Sequence, residues 1–152
     1  MANSCQRTNN SKIIKTNHKM KINTLMPTNI IPFYKKELEA YKNNLQKKYL
    51  QLAWYHLERA HIIGQKYPYE HTFVHWKMLQ FGIKIKSFRE VLGQIPRLLV
   101  GGVKSFVGHI PIGNTGGANV SPLKPMEIPK DIQKIISMQN INATIQNIKQ
   151  IS

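Results

Sequence analysis

PFYKKELEAYKNNLQKKYLQLAWYHLERAHIIG, residues 32–64, decides the fold class. Pro32 suits the first helical position, where its missing N–H would have no intrahelical partner, and Glu37 and Glu39 stand near the helix start. Apolar residues recur every three or four positions. Leu38, Tyr41, Leu45, Tyr49 and Leu52 make one stripe, and Leu50, Trp54, Leu57 and His61 make another. This period is helical, and the second stripe predicts that the C-terminal half is buried on more than one side. Gly64 reads as a left-handed stop. QKYPYE (65–70) is short, and Pro68 is placed to begin a second helix running to about Ile85. Residues 33–64 and 69–85 are therefore expected to form an antiparallel helical hairpin.

Outward from the hairpin, Val91, Leu92, Ile95, Leu98, Leu99, Val103 and Phe106 predict a third helical segment over 87–107, packed on the first two. Pro96 and Gly101-Gly102 should kink or divide it. GHIPIGNTGGANVSPLKPMEIP (108–129) is dense in Gly, Pro and Asn and reads as a long irregular segment. Asn119 and Ser121 are expected to brace it. Pro129 and Asp131 open a last helix through Met138, docked by Ile132, Ile135 and Ile136. The expected protein is all-α: a small helical bundle with an antiparallel helical hairpin, a Gly/Pro-rich irregular segment and a C-terminal helix. Its single domain covers 33–138, between a disordered basic leader (1–29) and a polar tail (139–152). At 152 residues and 41% hydrophobic content, one core is what the chain can fill.

Charge narrows the partners. Lys and Arg number 22 against 7 Asp and Glu, a net charge of +15 that favours nucleic acid or an acidic protein partner. The joint abundance of Lys, Asn and Ile is also what AT-rich coding DNA yields without selection for binding. Cys5 is the only cysteine, so no intramolecular disulfide forms, and a reducing, cytoplasmic compartment is the economical reading. The leader has no apolar core of a signal peptide, and Met1, Met20 or Met26 could each be the start. The most apolar stretch, Val91 to Ile112, is interrupted by Gln94, Pro96, Arg97, Lys104 and His109, so no membrane span is expected.

Glu58, His61, His71 and His75 form the constellation with the most chemistry. Glu-x-x-His places a carboxylate and an imidazole on one helix face, and His-x-x-x-His places two imidazoles one turn apart. The short link sets the two pairs at the same height. These four N/O ligands would suit one divalent transition metal, Zn or Fe before others. Few further carboxylates stand nearby, which disfavours a dinuclear site, and Thr72 stands where a zinc protease would carry its Glu. His56 faces elsewhere and reads as a packing or capping residue. Gly113, Asn114, Thr115, Gly116 and Gly117 imitate a phosphate loop but lack its lysine, leaving at most a backbone nest for a small anion. Tyr34, Tyr41, Tyr49, Trp54, Tyr55, Trp76 and Phe81 fall at helical spacings and read as core, while Tyr67 and Tyr69 around Pro68 could roof a site. No serine lies in a nucleophile elbow, so catalytic residues are not expected.

The blocks LERAHIIGQ (57–65), HTFVHWKML (71–79), REVLGQIPRL (89–98) and GNTGGANVSPLKPMEIPKDI (113–132) together resemble a bacterial domain-of-unknown-function family, number 3703. The resemblance covers about Tyr34 to Ile136 and implies a compact helical domain without an assigned activity. Function is then read from the residues: a helical metal-binding protein that senses, buffers or is clamped by its ion. The alternative is a basic adaptor binding nucleic acid or an acidic protein without metal. An enzyme using an open position on the ion is the third reading.

Overall fold

The computed structural model describes residues 25–107 and 112–138, with side chains at 25–99 and 112–138. Four helices, α1 (Ile31–Gln46), α2 (Leu50–Gly64), α3 (Pro68–Lys84) and α4 (Phe88–Val107), are followed by an irregular stretch and a fifth, α5, over 130–138. No strand occurs among the described residues. The protein is all-α, as the periodicity required. The expected polar tail lies outside the described residues, as does the leader up to residue 24. Of the leader's last residues, Met26 is buried in the core and Asn29 donates to the Met138 carbonyl.

The long first helix divides. Residues 32–64 form α1 and α2, which pack along each other and are joined by Lys47-Lys48-Tyr49. Lys48 adopts φ +61°, and the Tyr49 N–H returns to the Asn44 carbonyl at 2.9 Å, which closes α1 and reverses the chain. Asn43 and Asn44, poor helix interior residues, precede the break; the Asn44 side chain binds the Ala40 carbonyl at 2.8 Å. Tyr49 and Leu52, which continue the α1 stripe in the sequence, are exposed. α3 and α4 repeat the design: the connection at 85–87 carries Lys86 at φ +57°, and the two helices pack along each other. The molecule is two antiparallel helical pairs joined at α2–α3.

α2 does end at Gly64, but not by a left-handed residue: among the glycines with described backbone, only Gly113 and Gly116 have positive φ. Glycine is needed there for space, because a Cβ would lie 3.1 Å from the Tyr34 ring and 3.3 Å from the Glu70 Cβ. Tyr34 donates to the Glu70 carbonyl at 3.0 Å, tying α1 to the start of α3. Pro68 occupies the first turn of α3, as expected, and α4 continues through Pro96 and Gly101-Gly102 without dividing.

The core unites Ile30, Tyr34 and Tyr41 with Leu57, Ala60 and Ile63, with Val74, Met78 and Phe81, and with Ile132 and Ile135 of α5. Tyr67 is buried with them and Tyr69 is exposed. Tyr49, Tyr55 and Trp76 are exposed at about half their surface, contrary to their helical spacing, because they occupy the outward faces of α2, its cap and α3. Arg59 fastens α5: its guanidinium binds Glu37 of α1 at 2.8 Å and also Asp131. His56 is the second partner of Glu37, at 2.7 Å.

A convergent histidine centre

His61 lies on the last turn of α2, and His71 and His75 lie one turn apart on α3. The three-residue link Gln65-Lys66-Tyr67 brings those turns to one level. The imidazoles meet through the same atom: Nε2 of His61 is 2.9 Å from that of His71 and 3.1 Å from that of His75, and the latter two are 3.2 Å apart. All three are buried. Points this far apart lie roughly 1.8 Å from their common centre, a spacing that three metal–nitrogen bonds of about 2.0–2.1 Å to one ion could span. A tripod of that shape suits one face of a tetrahedron. Within 4.8 Å of one another, these three histidines offer the ligand atoms of one group that could hold a metal ion.

The rings are neutral at pH 7. Burial, followed by His75 and His71, holds His61 well below the ordinary histidine value. Burial and then His75 lower His71 to about 3, and burial, opposed by the Gln94 hydrogen bond, lowers His75 to about 4. Each neutral ring carries one N–H and one lone pair. The partners on the far nitrogens decide which is where. His61 Nδ1 stands 2.9 Å from the Asn114 carbonyl, which can only accept, so Nδ1 carries the proton. His75 Nδ1 stands 2.7 Å from Gln94 Oε1. The orientation of that amide is set on its other side, where Nε2 donates to Glu90 Oε1 at 2.6 Å and to the Gly116 carbonyl at 2.9 Å. His61 and His75 thus turn two Nε2 lone pairs toward the same point, an arrangement that a cation stabilises and that bare lone pairs oppose.

Residues 112–120 close the centre. Asn114 is the bracing side chain, in place of Asn119 and Ser121: its Nδ2 donates to the Ser121 carbonyl at 2.9 Å and the Lys124 carbonyl at 2.8 Å, and its Oδ1 accepts the Gly116 N–H at 2.9 Å. Gly116, at φ +82°, lies so close that a Cβ would come within 2.7 Å of the His61 ring. Of the residues read as an anion nest, Gly113 donates its N–H to Gln65 Oε1 at 3.2 Å and Gly116 to Asn114, so two of the donors serve the protein's own acceptors. The neighbouring Ala118 N–H faces both carboxylate oxygens of Glu90, at 3.1 and 3.2 Å. Thr115 Oγ1 is buried without an aligned partner, although the Glu58 carboxylate is nearby.

Three of the four residues singled out by spacing therefore come together, and Glu58 does not join them. Its carboxylate is not in the convergent group; it faces Thr115 and Trp54, and burial raises its pKa, with Glu90 adding to the rise. Three residues on a helix correspond to a swing of about 60° and a rise of about 4.5 Å, enough to turn Glu58 from α3 toward the 115–117 loop. Spacing alone did not single out Glu90, Gln94 and Asn114 as supports. Gln94 had a signal: an amide among Val91, Ile95 and Leu98, four residues after Glu90, is a polar residue on an apolar helix. Among the described residues no helix is long and apolar enough to cross a membrane.

A family model described as "Protein of unknown function (DUF3703)" matches residues 28–136. Nothing among curated proteins and nothing among solved structures matches the chain.

Proposed function

Since the chain belongs to the DUF3703 family of proteins of unknown function, which assigns no chemistry, we propose from the geometry that it binds one divalent transition-metal ion through His61, His71 and His75. The observation that supports this reading is the meeting of three Nε2 atoms within 3.2 Å, two of them held as lone-pair donors by Asn114 and Gln94. An all-imidazole set favours Zn over Fe(II), which usually draws a carboxylate into its facial triad. Burial under the Gly116 loop favours a structural or sensing ion over an exposed catalytic one: the ion joins α2 to α3 and, through the supports of its ligands, to α4 and the loop.

The test is elemental analysis and zinc titration of protein purified without an affinity tag. One ion per chain is expected. His61→Ala and His75→Ala should each abolish stoichiometric metal while sparing helicity, and metal retained in both refutes the site. Glu58→Gln distinguishes a three-ligand from a four-ligand centre, and retention of zinc is expected.

A basic adaptor is the second reading. The net charge of +15 supports it, and the acid of α4, Glu90, turns inward to Ala118. Salt-sensitive capture of an anionic partner by metal-free protein would favour it.

A further inference from the structure

The geometry points to Glu90 and Gln94 as positioning residues that set the affinity of the histidine centre, Glu90 by sending its charge to His75 through the Gln94 amide. This inference rests on the metal-binding reading. Three imidazoles bring no negative charge, so a divalent ion among them would leave two positive charges in a buried site. Imidazole ligands in metal sites are commonly backed by a carboxylate that accepts from the distal N–H, which fixes the tautomer and increases the basicity of the ligating nitrogen. Here the carboxylate stands one residue further away, and an amide fills the interval.

The links are short and of one polarity. Glu90 Oε1 accepts from Gln94 Nε2 at 2.6 Å, and Gln94 Oε1 accepts from His75 Nδ1 at 2.7 Å, leaving His75 Nε2 to point into the tripod. Gln94 is fully buried, so its amide has no water to turn toward, and its second N–H is held by the Gly116 carbonyl. Glu90 is itself fixed by the Ala118 N–H. Arg97, which lies close enough to lower both His61 and His75, is directed at the Gly93, Gly117 and Val120 carbonyls rather than into the chain of bonds. In a low-dielectric interior, successive hydrogen bonds polarise one another, so the carboxylate charge is felt at the far ring.

The substitution that isolates the charge is Glu90→Gln, because its Oε1 can still accept from Gln94 and Ala118. Gln94→Leu removes the amide altogether. Zinc affinity by chelator competition, with helicity recorded alongside, should weaken about 10- to 100-fold in each variant. The double variant E90Q/Q94E moves the carboxylate directly onto His75 Nδ1. It should bind more tightly than Gln94→Leu, even though the Gly116 carbonyl loses its donor. Cobalt(II) substituted for zinc gives a readout that a merely structural role would not move: its ligand-field absorption should shift in E90Q while the fold is unchanged. Should Gln94→Leu fail to fold, E90Q alone carries the test. Wild-type protein that binds one zinc, with E90Q matching it within twofold and showing the same cobalt spectrum, overturns this inference and leaves the metal site standing. Wild-type protein that binds no zinc overturns both.

Discussion

Acidifying metal-free protein from pH 7.5 to pH 5 should remove a large part of its stability, and the size follows from the three buried imidazoles. Their folded values are depressed, to about 3 for His71 and about 4 for His75, with His61 also well below normal. In the unfolded chain each ring returns to about 6.5. The unfolded state therefore binds more protons across this window, so stability is fully present above about pH 6.5 and falls as pH drops toward the folded values. At pH 5 the loss per ring depends only on the unfolded value, provided the folded one lies well below 5. One and a half pH units give about 2 kcal/mol per ring, about 4 for His71 and His75 together, and the depressed His61 acts in the same direction. For a domain of ordinary stability that approaches the whole margin. Urea unfolding of chelator-treated protein at pH 7.5, 6.5, 5.5 and 5.0 measures it. His71→Gln should shrink the loss by about 2 kcal/mol. A wild-type change of less than about 1 kcal/mol, or an unaltered slope in His71→Gln, would show that these rings are not buried and neutral.

Gly116→Ala places a Cβ within 2.7 Å of the His61 ring at a backbone φ of +82°, so it should weaken zinc binding at least tenfold. It should also cost about 1–2 kcal/mol from the left-handed backbone alone; unchanged affinity and stability together would mean that the loop does not lie on the ring. Lys48→Gly and Lys86→Gly act in the other direction. Both lysines sit at positive φ in tight links, and relief of that strain, less the extra freedom of glycine in the unfolded chain, should stabilise the protein by about 0.5–1 kcal/mol each. Lower melting temperatures for both variants would contradict the link geometry.

The limits of legibility follow from where the information sits. The α2–α3 reversal was readable because Pro68 and a three-residue link leave a helix little choice, and the histidine pairing followed because His71 and His75 are one turn apart beside it. The α1–α2 reversal carried no such mark. It turns on Lys48 in a conformation that glycine or asparagine usually signals, and Tyr49 and Leu52 continue the apolar period past the break. Glu58 illustrates the same limit within the site: i, i+3 spacing says that two side chains are neighbours, but not on which side of the helix a third element will stand. The supports are harder still. Asn114 lies 53 residues from His61, and Gln94 lies 19 from His75, so their meeting depends on packing that no local pattern encodes.

Those distant supports change what the Gly/Pro-rich segment is. A connecting loop turns its polar backbone to water, yet here the Asn114 and Gly116 carbonyls accept from the His61 imidazole and from the amide that holds His75. Asn114 is nearly inaccessible, and a Cβ at Gly113 would strike the Met126 carbonyl at 2.1 Å, so the segment is folded on itself as tightly as on the helices. Gly113, Gly116 and Gly117 serve close approach, the first two at positive φ, rather than flexibility. The tripod's direction is consequently not a property of the α2–α3 pair alone. That pair brings three rings to one level; α4 and residues 112–120 decide which nitrogen of His61 and of His75 faces the centre. An isolated hairpin of residues 50–84 would keep the spacing and lose the Asn114 and Gln94 acceptors, and with them the fixed tautomers on which a well-defined coordination geometry depends.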